Sequence, residues 1–90
     1  MNGRVLVLDD QALLRDSMAE TLRRAGHEVE ALESPRRALA LLKESSVQVV
    51  VTDLRMPELD GMEVLKACQE LTPAPAVIVV TAHGTVANAV

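Results

Sequence analysis

Ninety residues, 49% of them hydrophobic and 24% charged, suffice for one small globular domain and are too few for two. A formal net charge of −4 with no basic stripe argues against direct nucleic-acid contact by this segment, and no apolar run approaches the ~18 residues of a membrane-spanning helix. There is no aromatic residue and a single cysteine, Cys68, so the core must be aliphatic and neither an intramolecular disulfide nor a cysteine-based zinc cluster can form.

The first apolar run, Val5–Leu8, is too short for a helix and rich in β-branched residues, which predicts a buried strand. It follows Met1-Asn2-Gly3-Arg4 directly, without the longer apolar region and small-residue cleavage site of a secretory signal, so a soluble, cytoplasmic protein is expected. Leu14, Met18, Leu22 and Ala25 then recur at helical spacing, and Gly26 stands where a left-handed C-terminal cap belongs. Glu28–Leu32 reads as a shorter, more polar strand suited to a sheet edge. Ser34-Pro35 supplies an N-cap and a proline at the first helical position, opening a helix through Ala38, Leu39 and Leu42. Val47–Val51 predicts the third strand. Asp60 with Glu63 resembles a capping box and starts a helix that ends before Pro73. Ala76–Val80 predicts a fourth strand, and another helix is expected to begin at Gly84. Such alternation implies an α/β domain over 1–90, with a parallel sheet and helices on both faces.

The chemistry lies just beyond the strands. Val5–Leu8 is followed by Asp9-Asp10, Val47–Val51 by Thr52-Asp53, and Ala76–Val80 by Thr81. Ligands of open parallel α/β sheets bind outside the carboxyl ends of the strands. Singly, each of these residues is better read as a helix cap or turn residue. Together they bring three carboxylates and a hydroxyl to one small volume. At about 4 Å, two unit charges repel by roughly 4 kcal/mol at an effective dielectric near 20. The cluster therefore calls for a proton or a divalent cation, and an oxygen-only site of this kind suits Mg²⁺.

The motifs LVLDD, VVVTDLRMPELDG and VIVVTAHG resemble those of the receiver domain of bacterial response regulators, and the resemblance extends over essentially the whole chain. It implies a flavodoxin-like, doubly wound sheet of order 2-1-3-4-5. It also implies Asp53 as the acceptor of a phosphoryl group from a sensor histidine kinase, Asp9 and Asp10 as holders of Mg²⁺, and the backbone carbonyl of Arg55 as a further ligand. Thr81 corresponds to the hydroxyl that contacts the phosphoryl group. Such a domain is a signalling module rather than an enzyme. The stretch from Thr81 to Val90 looks most like receivers of nitrogen-regulator-type enhancer-binding activators, which implies an output in transcriptional regulation. His27 and His83 are better read as loop residues than as ligands.

A receiver also has a fifth strand ending in a lysine, and a fifth helix. The sequence reaches Val90 before either, so the domain is expected to be incomplete at its C-terminal side. Strand 76–80 would then be an open, apolar sheet edge, a template for self-association. One competing reading is a fragment that has lost the switch and only associates. Another is a phosphate-loop ATPase, suggested by the strand VVVTD, but no glycine-rich loop with its lysine is present.

Overall fold

The computed structural model describes residues 4–57, 59–81 and 84–86, with the backbone alone at 81 and 84–86. Eight elements follow in order: β1 (Arg4–Leu8), α1 (Ala12–Arg24), β2 (Glu28–Leu32), α2 (Pro35–Glu44), β3 (Val49–Asp53), α3 (Gly61–Gln69), β4 (Ala76–Thr81) and β5 (Gly84–Val86). The first four strands are parallel in the order β2-β1-β3-β4, the flavodoxin-like arrangement expected, and β5 joins β4 antiparallel at the edge.

The helix boundaries follow the capping chemistry of the sequence. Gly26 adopts φ 96° after α1, and the His27 and Gly26 amides donate to the carbonyls of Leu22 and Arg23. These two bonds satisfy carbonyls that the helix end would otherwise leave free, and they turn the chain into β2. The Ser34 hydroxyl accepts from the Arg37 amide at the start of α2, and the Asp60 carboxylate accepts from the Glu63 amide at the start of α3.

Side chains alternate across the sheet, so register assigns each face. Leu6, Val50 and Val77 are aligned across β1, β3 and β4, and with Leu8 and Val79 they pack against Ala38 and Leu42 of α2 and Val64, Leu65 and Cys68 of α3. Cys68 is wholly buried there, as a small core residue, and burial pushes its thiol pKa up. Val5 and Val7 point the other way, towards α1, whose one buried residue is Ala19. The helix lies over β1 and β2, so cover on this face thins towards β4. Val49 and Val51 are half-buried, Ile78 is 37% exposed, and Leu14 of the predicted helical face is itself 43% exposed.

Two expectations change. Strand β3 begins and ends two residues later than the apolar run, because Thr52 and Asp53 pair with Val79 and Val80 of β4. The helix expected from Gly84 is a strand: Gly84, Thr85 and Val86 pair with Thr81, Val80 and Val79. The amides and carbonyls along the edge of β4 offer β-branched Thr85 and Val86 a ladder there. The open edge foreseen for residues 76–80 is thus covered at 79–81, and among the described residues Ala76–Ile78 have no strand partner on that side.

Candidate functional site

Register alone explains why the acids meet. Leu8 of β1 lies opposite Thr52 of β3, so the next residues, Asp9 and Asp53, are level at the carboxyl ends of adjacent strands. By alternation both follow Val7 and Val51 onto the α1 face. Asp10 is one step further along the loop to α1. One carboxylate oxygen from each of Asp9, Asp10 and Asp53 lies within 4.8 Å of the other two.

The three acids differ in exposure. Asp9 is 1% exposed, Asp53 is half-buried and Asp10 faces solvent. Asp9 Oδ1 accepts a 2.8 Å hydrogen bond from the Gln11 amide, while the buried Oδ2 has no partner. Loss of water pushes the Asp9 pKa above its ordinary value, and the charges of Asp53 and Asp10 push it the same way; the Gln11 amide and Arg15 pull against them. A buried carboxylate oxygen with no donor, on an acid clustered with two further carboxylates, is the electrostatic environment that a small, hard dication satisfies. The residues present therefore fit Mg²⁺.

The loop after β3 is held from below. The Leu54 amide continues the ladder to the Val80 carbonyl, and its carbonyl accepts from the Gly61 amide at 2.7 Å. A Cβ on Gly61 would come within 2.5 Å of the Asp53 carbonyl oxygen. Only glycine lets the start of α3 approach the strand end this closely, so α3 fixes the backbone that carries Asp53. Arg55 sits in this loop with its side chain exposed. Thr81 ends β4, one residue past the Val80 that pairs with Asp53, which places its backbone at the same end of the sheet. His83 lies outside the described residues. His27 is half-buried at the far end of α1, and its Nδ1 has no partner.

Sequence reading missed Arg15, and it took Gly61, with Asp60, only as shaping the loop after Asp53 through a turn and a helix cap. Gly61 passes for an ordinary residue after a helix cap until the distance to Asp53 is known. Arg15, in the first turns of α1, donates from Nη1 to the backbone carbonyl of Asp9 at 3.4 Å and from Nε to Asp16 Oδ1 at 3.2 Å, with only 16% of its side chain exposed. Its spacing from Asp10 was the only signal, and helical geometry alone does not show towards which loop a long side chain folds.

Comparison with known proteins agrees with this geometry. The chain is 34% identical over its full length to the response regulator protein FleR of Pseudomonas aeruginosa, of which it spans 19%. It is 36% identical over 88 residues to the transcriptional regulatory protein GlrR of Escherichia coli, spanning 20% of it. Among solved structures, the beryllofluoride-activated NtrC4 receiver domain dimer superposes with a TM-score of 0.83 at 35% identity, covering 92% of this chain and 69% of that one. The response regulator TrrA of Thermotoga maritima, in complex with Mg²⁺ and beryllofluoride, superposes with a TM-score of 0.82 at 29% identity, covering 91% and 70%. Residues 5–90 match the response regulator receiver domain, and with the acid-tipped parallel sheet described above this makes the chain a member of that family.

Proposed function

We propose that Asp53 accepts a phosphoryl group from the phosphohistidine of a sensor kinase and that the resulting acyl phosphate switches an output, transcriptional in a longer parent protein. The observation that carries this reading is the gathering of Asp9, Asp10 and Asp53 with an unpartnered, buried Asp9 Oδ2 among them. Asp9, Asp10 and Asp53, with the Arg55 backbone carbonyl, would hold Mg²⁺. Bound there, the ion would neutralise charge on the carboxylates and on the phosphoryl oxygens. Asp53, at the end of its strand and less buried than Asp9, is assigned the attack on phosphorus. Asp9, locked by the Gln11 amide, is placed to hold rather than to react. Thr81 is assigned the hydroxyl contact to the phosphoryl group. The module is read as cytoplasmic, and among the described residues no helix is long and apolar enough to cross a membrane.

Incubation with Mg²⁺ and acetyl phosphate, followed by intact mass measurement, tests the assignment. The expected result is a gain of one phosphoryl group that Asp53→Asn abolishes; a gain that persists in the variant refutes Asp53 as acceptor. Absence of any gain would favour a second reading, a fragment that associates through β4. The apolar strand β4 and the 37% exposed Ile78 on it support that alternative.

A further inference from the structure

We infer that Arg15 is a positioning residue acting as an electrostatic counterweight, weakening the site's grip on a dication while strengthening its grip on the phosphoryl group. The inference rests on the metal and phosphoacceptor roles proposed above for the same site.

The guanidinium is held, not dangling. It reaches back from α1 to the Asp9 carbonyl and is anchored on its own helix by the exposed carboxylate of Asp16. Among the described residues it is the positive side chain that acts on the electrostatics of Asp9. The two long lysine side chains, Lys43 and Lys66, leave from α2 and α3 and face solvent.

Charge bookkeeping shows why one fixed cation matters. Three ionised carboxylates carry −3, and a bound dication brings the pocket to −1. Phosphorylation exchanges one carboxylate charge for about two on the phosphoryl oxygens, leaving about −2. Arg15 makes these −2, 0 and about −1. It therefore repels the dication on arrival, and it offsets the extra negative charge that arrives with the phosphoryl group. A residue that only braced the β1–α1 loop would help both events. An electrostatic counterweight helps one and hinders the other.

In the acetyl phosphate reaction, an Asp53 carboxylate oxygen forms a bond to phosphorus. The bond from phosphorus to the acetyl oxygen breaks, and acetate leaves with the electron pair. The donor brings its negative charge into the acidic pocket, where a nearby guanidinium lowers the barrier to its approach.

The test measures Mg²⁺ affinity by titration calorimetry and the rate of phosphoryl gain from acetyl phosphate at saturating Mg²⁺, for wild type, Arg15→Gln and Arg15→Lys. One unit charge acting across a partly solvated gap is worth about three- to five-fold on each quantity. Arg15→Gln should bind Mg²⁺ about three- to five-fold more tightly and react about three- to five-fold more slowly, while Arg15→Lys stays near wild type on both. Parallel weakening of both quantities would overturn the inference in favour of a loop brace, and so would no change in either. The wild-type titration separates the layers: no Mg²⁺ binding there refutes the metal reading itself and removes the basis of this one.

Discussion

Replacing Asp9 with asparagine isolates the conflict built into the pocket. The side chain keeps its size, and its oxygen can still accept from the Gln11 amide, so the 2.8 Å bond that shapes the β1–α1 turn survives. What disappears is a buried negative charge whose Oδ2 has no donor and whose neighbours are two carboxylates within 4.8 Å. At that separation each repulsion is about 1 kcal/mol in water and about 3.5 kcal/mol at an effective dielectric of 20. Asp10 is exposed and Arg15 offsets part of the field, so the combined relief is on the order of 1–3 kcal/mol. In metal-free buffer at neutral pH, Asp9→Asn should therefore raise the melting temperature by roughly 4–24 °C, given about 4–8 °C per kcal/mol for a domain of this size. The advantage must depend on pH in one direction only. The Asp9 pKa is raised in the folded chain above its ordinary 3.8, so the folded state holds this proton more tightly than the unfolded state. The variant's advantage is complete above the folded pKa, shrinks as pH falls through that value, and is gone below the unfolded one. Scanning calorimetry in chelator across this range checks both sign and slope. A melting temperature that falls on substitution would refute the reasoning and leave Asp9 as a structural cap.

Two further substitutions probe the frame around the site. In Gly61→Ala the new Cβ meets backbone on both sides, 2.5 Å from the Asp53 carbonyl oxygen and 3.0 Å from Leu54 Cα. Neither can yield like a flexible side chain, so urea denaturation should show a loss of about 1–3 kcal/mol, accompanied by slower phosphoryl gain; unchanged values would show that α3 does not fix the strand end. For β4, which carries the exposed Ile78, sedimentation of the wild type at tens of micromolar (a rough working range) should show self-association that Ile78→Lys removes. A purely monomeric wild type would count against that edge as an interface.

How much of this was legible in the sequence follows from the range of each interaction. The caps at Ser34, Asp60 and Gly26 were readable because each is decided within about four residues. The meeting of Asp9, Asp10 and Asp53 was readable because a parallel sheet carries its ligands at the strand ends, so an acid directly after an apolar run reports its position. The strand order was not readable from periodicity and came through family resemblance. The exact limits of β3 were hidden because apolar runs mark burial: Val47 is buried outside the strand, while Thr52 and Asp53 pair within it. The face of α1 misled for a related reason. Leu14, Met18, Leu22 and Ala25 do share helical spacing, but a helix buries only what its neighbours reach, and α1 reaches β1 and β2. Gly61 and Arg15 act through approaches between elements, which no local pattern encodes.

Asp9 occupies the position where a carboxylate is least comfortable, and this links the site to the stability of the whole fold. Strand β1 is central, with β2 on one side and β3 on the other, and the Asp9 amide is tied to the Leu32 carbonyl at 3.1 Å. The backbone that carries the side chain is thereby fixed at the end of the sheet. A surface cluster of acids would relieve its repulsion by moving apart; this one is held together by the ladder beneath it. The strain persists until a cation removes it, and a ligand that binds only the folded chain stabilises it by about 2.7 kcal/mol at a hundred times its dissociation constant. For a small domain whose α1 face is only partly covered, that is a large share of the total. Mg²⁺ should accordingly raise the melting temperature of the wild type by several degrees and that of Asp9→Asn by much less. Their order of stability should then converge or reverse between chelator and saturating Mg²⁺, an outcome that a merely structural Asp9 would not produce.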